Sequence, residues 1–381
     1  MLTPQQYVPR PDSEYSDYVV GGYAFSATLA IQDITGLATS GVSSAHIAKR
    51  LEPSTESAAH LFAITEQHGP RPVTELGVAE LSPFDLDYVQ AWVFVSLPLL
   101  EDLRVIEANF TFDSEVAPMP GEPAPIAPWR EGLSLIDALS KRLGRPIRQL
   151  WVTHQPGDYT PPAVGEFGYR RAFREDQAVF PVAAAGGLAW PSGTAGETCA
   201  AIEYEVVEGP GFAARPAGGA PREAEQFARL LTAASKDYPR GELALEAIEW
   251  DLQRIVDAGE RLGDRGGAQL TGLARVRGAG SGSAGAGAAS EIVGLCEVVH
   301  YASDDANVCE LGLVYVLPEH RGRGIGAGLI RATLERAVHT WESLETAYCS
   351  YPAGSAPAEA LMRALGARII SSTTAWQVGA D

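Results

Sequence analysis

No stretch of this sequence approaches the ~20 consecutive apolar residues that crossing a bilayer requires, so no membrane-spanning helix is expected. The opening, "MLTPQQYVPRPDSEYSDY", lacks a basic segment followed by an apolar core, and no secretory leader is expected. Positive charge is scarce: 29 Lys and Arg face 48 Asp and Glu, for a net charge of −19 at pH 7. Such a surface repels nucleic acid and anionic membranes, and neither is expected as a partner. Cysteine is scarce too. Cys199, Cys296, Cys309 and Cys349 are scattered without metal-type spacing. They predict no metal site and no disulfide framework, but buried thiols in a cytoplasmic protein. Cys349, near the motif described below, has reactivity as its alternative.

What is present is a folded chain of 381 residues, 46% hydrophobic and 20% charged. That length exceeds one ordinary core and predicts two domains. The Gly-, Ala- and Pro-rich stretch "PVAAAGGLAWPSGTAGE" (Pro181 to Glu197) holds the boundary. The expected division is a first domain over 1–186, a linker over 187–199 and a second domain over 200–381. "GAGSGSAGAGAAS" (Gly278 to Ser290) is a flexible loop by composition. It lies between the strand-like runs "AQLTGLARVRG" and "EIVGLCEVVHYA" and is read as a long hairpin tip.

The second half has a clear order. "PREAEQFARLLTAASKDYP" and "GELALEAIEWDLQRIVDAGERLG" carry helical stripes, the latter through Leu245, Ile248, Leu252 and Ile255. The two strands around the glycine loop follow, then a strand, "VCELGLVYVL". A helix, "GIGAGLIRATLERAVHTW", and a strand, "LETAYCSYP", come next. A short helix, "SAPAEALMRALGA", has Ser355 placed to cap it and Gly366 to stop it. "RIISSTTAWQV" is the last strand. The first half reads more weakly as antiparallel strands ("AAHLFAITEQHG", "TELGVAELSP", "DYVQAWVFVSLP", "DLRVIEANFTF"), a helix ("GLSLIDALSKRLG"), a strand ("RQLWVTH") and a closing "FGYRRAFREDQAVFPV". The shared order predicts two copies of one α/β (α+β) architecture, each a mixed, mostly antiparallel twisted sheet flanked by helices.

The chemistry concentrates in "VYVLPEHRGRGIGAGLI", Val314 to Ile330. Glycines occupy alternate positions at 322, 324, 326 and 328, and His320, Arg321 and Arg323 crowd the same turn. The first N–H groups of a helix lack internal partners and carry partial positive charge. Glycines let a ligand approach that backbone, and arginine adds bonds to phosphate oxygens. A strand-to-helix turn of this kind is a pyrophosphate cradle. A P-loop is excluded because Ala327, not Lys, follows Gly326. The dinucleotide fingerprint matches at Gly322, Gly324 and Ala327, but its acidic partner would be Glu345, which opens its strand instead of ending it.

The stretch resembles the coenzyme A signature of the GNAT superfamily, the GCN5-related N-acetyltransferases, whose core is [Q/R]-x-x-G-x-[G/A]; here the core is Arg321, Gly324 and Gly326. The element order from about Glu203 to Val378 is also similar to that of the family, and the paired halves resemble its tandem members, mycothiol synthase among them. The resemblance implies an acyl-coenzyme A-dependent N-acyltransferase, with acetyl-CoA as co-substrate and a primary amine of a small molecule or peptide as acceptor. It implies pantetheine binding by the backbone of Val314, Tyr315 and Val316, with Ser355 able to bond the same arm. It implies pyrophosphate binding by the N–H groups from Arg321 through Gly322, Arg323, Gly324, Ile325, Gly326 and Ala327. By position, Glu310 would be the catalytic base, sharing a strand face with Val314 and Val316 if no bulge intervenes. Its alternative is a solvent-facing strand-end residue. The family's frequent tyrosine acid falls at Met362, which has no proton to give, leaving Tyr351 and Tyr348 as stand-ins. In the first half, "DSEVAPMPGEPAPIAPWREGLS" has no G-x-G and five prolines. No coenzyme A site is expected there, and Trp129 and Arg130 are read as surface residues, with the holding of an anion as their alternative. A monomer or weak dimer is expected, since tandem domains act as an internal pseudo-dimer. A coenzyme A-binding sensor or scaffold without catalysis is the alternative function.

Overall fold

The computed structural model describes residues 1–10, 13–37, 43–67, 69–119, 122–188, 202–209, 221–276, 291–301 and 307–379. They divide into two compact units: Met1–Asp176 with Arg240–Glu246 and Ile370–Asp381, and Gln177–Pro239 with Ala247–Ile369. A linear division at 186 and 200 gives Arg240–Glu246 and Ile370–Asp381 to the second half, whereas their contacts group them with the first. The expected linker from Ala189 onward, Cys199 and the glycine loop lie outside the described residues.

The first unit contains β1 (Leu2–Gln6), α1 (Glu14–Thr35), α2 (Ser44–Leu51), β2 (Ser57–Glu66), β3 (Ala79–Glu80), β4 (Ala91–Pro98), β5 (Val105–Phe112), α3 (Ile126–Leu143) and β6 (Ile147–His154). Strands β1, β2, β4 and β5 pair antiparallel in that order, and β5 pairs parallel with β6 across α3. Both faces of this sheet are covered, which is why β2 and β4 read as nearly continuous apolar runs. Leu61, Ala63, Trp92 and Phe94 pack in one cluster with Val19, Val20, Tyr23 and Ile47 of α1 and α2. Their neighbours Phe62, Ile64, Val93 and Val95 pack in another with Trp129, Leu133 and Ile136 of α3. The strand expected in "TELGVAELSP" shrinks to two residues, because Gly77 turns the chain with φ +77. Helix α1 escaped the sequence reading, since Gly21 and Gly22 in its middle weaken helix propensity and blur its stripe.

The boundary between units falls within β7 (Arg170–Pro181). The second unit contains β8 (Ile202–Glu208), α4 (Pro221–Asp237), α5 (Leu252–Asp264), β9 (Gly267–Val276), β10 (Glu291–Tyr301), β11 (Val308–Val316), α6 (Ile325–Thr340), β12 (Thr346–Pro352) and α7 (Ala356–Ala364). This repeats the first unit's succession of strand, two helices, antiparallel strands, helix and parallel strand. The pairings run β8–β9–β10–β11 antiparallel, then β11–β12 parallel across α6. Phe227, Leu230, Leu231 and Ile255 of α4 and α5 cover one face through Leu273, Ile292, Leu295 and Tyr315. Ile325, Leu329, Leu334 and Met362 of α6 and α7 cover the other through Ala274, Val293, Cys296 and Leu311. The final strand, β13 (Arg368–Val378), pairs antiparallel with β6 in the first unit from Ser372 to Val378.

The helix expected from Gly241 begins only at Leu252. Asp251 caps it, its side chain accepting from the Arg254 N–H at 2.8 Å. Upstream, the N–H groups of Ile248 and Trp250 donate to the hydroxyls of Ser235 and Thr232 on α4. Leu243 is buried with Phe173 and Ala375 in the first unit. Tertiary partners for backbone and side chain outcompete the local stripe.

Candidate active site

The site lies in the second unit, where β11 leaves β12. Parallel pairing holds from Val308↔Thr346 to Leu311↔Cys349 and then stops. From Gly312 to Val316, β11 keeps β10 on one side but has no β12 pairing on the other. A cavity of about 670 Å³ opens there, lined by that backbone, by Glu310, Arg321 and Gly326, and by Tyr351, Ser355, Leu361 and Met362. The exposed backbone edge is a template for a strand-like ligand.

The cause of the divergence is a bulge. Leu311 pairs Val298 and Val314 pairs Cys296, so Gly312 and Leu313 together oppose Glu297. An isolated glycine in a strand run is the sequence signal for such a bulge. It reverses one expectation. Cys309, Leu311, Val314 and Val316 pack in the cluster with α6 and α7, whereas Leu313 and Tyr315 pack in the cluster with α4 and α5. Glu310 therefore points to the α4–α5 face, opposite Val314 and Val316, because the extra residue resets the alternation.

The four alternating glycines have separate causes. Gly322 and Gly324 adopt φ +76 and +75, and Gly324 is the N-cap of α6. Gly326 has room for a methyl group, with Val314 and Val316 at ordinary contact distance. Gly328 has none, since a Cβ there would collide with the Tyr204 ring on β8. The N–H groups from Gly322 to Ala327 have no acceptor among the described residues, the first helical bond being Gly328 N–H to the Gly324 carbonyl. The Arg321 N–H is already engaged, donating to the Pro318 carbonyl at 3.2 Å.

The two arginines also separate. Arg321 donates to the Val316 carbonyl at 2.9 Å and to Asp237 Oδ2 at 2.8 Å, and Tyr315 donates its phenol to that same oxygen at 2.7 Å. It is a brace between the end of β11 and the end of α4. Asp237, held below the ordinary carboxylate range by the Tyr315 phenol and by Arg321, had no signal in the sequence beyond ending a helix before Tyr238 and Pro239. Arg323 donates only to the Glu319 carbonyl and has no acidic partner among the described residues. The cation available to a phosphate is thus Arg323.

Glu310 has no hydrogen bond or ion pair among the described residues. Its surface is exposed within the concave site, yet loss of hydration raises its carboxyl pKa, with Arg265 opposing. Tyr348 stands beside it across the parallel pair. Tyr351 is buried with Met362 on the α6–α7 face and lines the cavity, so phenol and carboxylate approach from opposite sides of the sheet. Ser355 occupies the N-cap position of α7 without a side-chain cap bond. Cys349 lines the cavity, but burial pushes its thiol up to about 12 and its sulfur sits 3.3 Å from that of Met362. Cys296 and Cys309 are likewise buried and free, and burial pushes their thiols up in the same way. Among the described residues no cluster of His, Cys, Asp and Glu could hold a metal, and no helix is long and apolar enough to cross a membrane.

Glu297, opposite the bulge, was not singled out in the sequence. Burial lifts its carboxyl to about 7, a hydrogen bond from Gln269 opposing. Between the ordinary Glu range and pH 7 the folded chain keeps a proton that the unfolded chain has lost, so this group's contribution falls as pH rises. Glu297→Gln is expected to match wild type near pH 4.5 and to exceed its unfolding free energy at pH 8 by up to about 3 kcal/mol, read from urea midpoints at both pH values. A pH-independent difference would refute the buried proton.

Three comparisons bear on this geometry. The profile of the Acetyltransferase (GNAT) family matches residues 264–367. The whole chain superposes on a tandem GNAT protein from the clavulanic acid biosynthesis pathway, with a TM-score of 0.62 at 15% identity over 100% of this chain and 99% of that one. It superposes on a GCN5-related N-acetyltransferase from Sphaerobacter thermophilus with a TM-score of 0.53, also at 15% identity, over 99% and 95%. At such identity these are likenesses of fold. No curated protein matches the sequence significantly.

Proposed function

We propose, for a chain whose residues 264–367 form a GNAT-family acetyltransferase domain within the tandem GNAT fold, an acyl-coenzyme A-dependent N-acyltransferase that acetylates a primary amine in its second unit. One observation carries the reading: a single cavity joins an open strand edge, a helix N-terminal cradle and an unpartnered carboxylate of raised pKa.

The residues present fit the co-substrate. The N–H groups from Gly322 to Ala327 and the Arg323 guanidinium would hold a pyrophosphate. The backbone of Val314, Tyr315 and Val316, with the Ser355 hydroxyl, would bond a pantetheine arm. Bound acetyl-CoA supplies an acyl group on a thiol leaving group. Glu310 takes the proton of the attacking amine from the α4–α5 side; its raised pKa makes it a better base near neutral pH. Tyr351 returns a proton to the leaving thiolate from the α7 side. Met362, buried beside Tyr351, contributes shape alone.

The first unit supports one cofactor site per chain. Its β5–β6 pairing also ends early, at Asn109↔Trp151, but Phe110 then stacks on Trp129 at 3.9 Å between centroids. Trp129, expected at the surface, is instead buried in the core by that stacking, and Arg130 is engaged by Glu166. Calorimetry with acetyl-CoA is expected to give one site per chain, and an amine panel to release coenzyme A. Binding without release from any amine would favour the sensor reading, and absence of binding would sink both.

A further inference from the structure

Resting on the acyltransfer reading, the α4–α5 face of the second unit also bears on which amine is taken. Sheet register brings three side chains to neighbouring strand ends on that face, and the turn before β9 adds a fourth. Glu310 pairs with Val299 on β10 and with Tyr348 on β12. Tyr301, two residues beyond Val299, pairs with Gly267 at the start of β9. Arg265 ends α5 one turn residue earlier, and Gly266, at φ +72, turns the chain into that strand.

These groups sense one another. Arg265 pulls the pKa values of both Glu310 and Tyr301 down, and Glu310 pushes that of Tyr301 up. Yet Arg265 and Glu310 form no ion pair. The Arg265 Nε donates to the Arg261 carbonyl, and its remaining guanidinium N–H groups have no partner among the described residues. Elsewhere in this acidic chain, exposed arginines reach carboxylates readily, as Arg130 does to Glu166 and Arg336 to Glu208. A cation and a carboxylate that interact without forming an ion pair, with phenols at Tyr301 and Tyr348 at the same strand ends and Glu310 lining the cavity, are a charge pattern complementary to a ligand carrying both opposite charges.

We propose that the acceptor is an amine bearing an anionic oxygen group, amino acids being the simplest class, and that Arg265 is the residue selecting it. The amine faces Glu310, which takes its proton, and the acceptor's carboxylate lies against the Arg265 guanidinium, whose geometry suits bidentate oxyanions. The net charge of −19 would steer cationic amines towards the protein without discriminating among them, so the choice falls to this local cation.

The test compares amino carboxylates of graded length with their amides and with diamines of equal length, reading coenzyme A release. The amino carboxylate is expected to exceed its amide in kcat/KM by about tenfold or more, mainly through acceptor KM. Arg265→Glu is expected to invert that order in favour of the diamine while acetyl-CoA affinity, measured by calorimetry on the same sample, stays unchanged. Arg265→Lys should retain part of the preference. Release of coenzyme A with equal efficiency from amide, diamine and amino carboxylate would overturn this proposal alone, as would an Arg265→Glu variant with the wild-type order. Acetyl-CoA binding without release from any amine would overturn the acyltransfer reading, and this proposal with it.

Discussion

Glu310→Gln is expected to lower acetyl transfer by about 10²- to 10⁴-fold, the range supplied by a positioned general base. The substitution keeps the size of the side chain and removes only its ability to accept a proton. Glu310 has no hydrogen-bond or ion-pair partner among the described residues to lose, so thermal stability and acetyl-CoA affinity should hold near wild type. The pH profile gives a second readout. In wild type, kcat/KM is expected to rise as Glu310 ionises, at a pH shifted upward because loss of hydration raises its pKa. That limb should vanish in the variant. Wild-type kcat/KM in Glu310→Gln, with the acid limb intact, would remove Glu310 from the chemistry and turn attention to Glu297 on the same face.

Gly324→Glu is expected to weaken acetyl-CoA binding by at least about 100-fold. Two effects combine. Gly324 sits at φ +75, where a side chain costs roughly 1–2 kcal/mol, and it is the N-cap of the helix whose N–H groups form the cradle. A carboxylate there also meets the phosphates with like charge where the helix dipole otherwise favours an anion. Gly324→Ala separates the two, since it carries the strain without the charge and should lose much less affinity. Calorimetry decides: equal losses in both variants would assign the effect to backbone strain, and no loss in either would place the pyrophosphate elsewhere.

The glycine-rich turn was legible because its demands are local. A tight strand-to-helix turn needs glycines at positive φ, and an anion site needs unpaired N–H groups and a nearby cation. All of these lie within a few consecutive residues from Arg321 to Ala327. The strands and helices of the second half were legible for a similar reason, since alternation and helical spacing report burial directly. The halves of the cavity wall were less so. That Arg321 serves as a brace depends on Asp237, which is 84 residues away in sequence. That Arg323 is the cation left over follows only once Arg321 is engaged.

The sequence by itself determined the succession of helices and strands from α4 to β13, the glycine-rich turn before α6 and, through the family resemblance, a candidate base at Glu310. Tertiary structure decided which face that base occupies, because one bulge at Gly312 and Leu313 shifts every side chain after it. It also decided where α5 starts, because the α4 hydroxyls capture the backbone of Ile248 and Trp250. And it placed the last strand from Ile370 with the first unit, because strand pairing is set by long-range partners that no local pattern encodes.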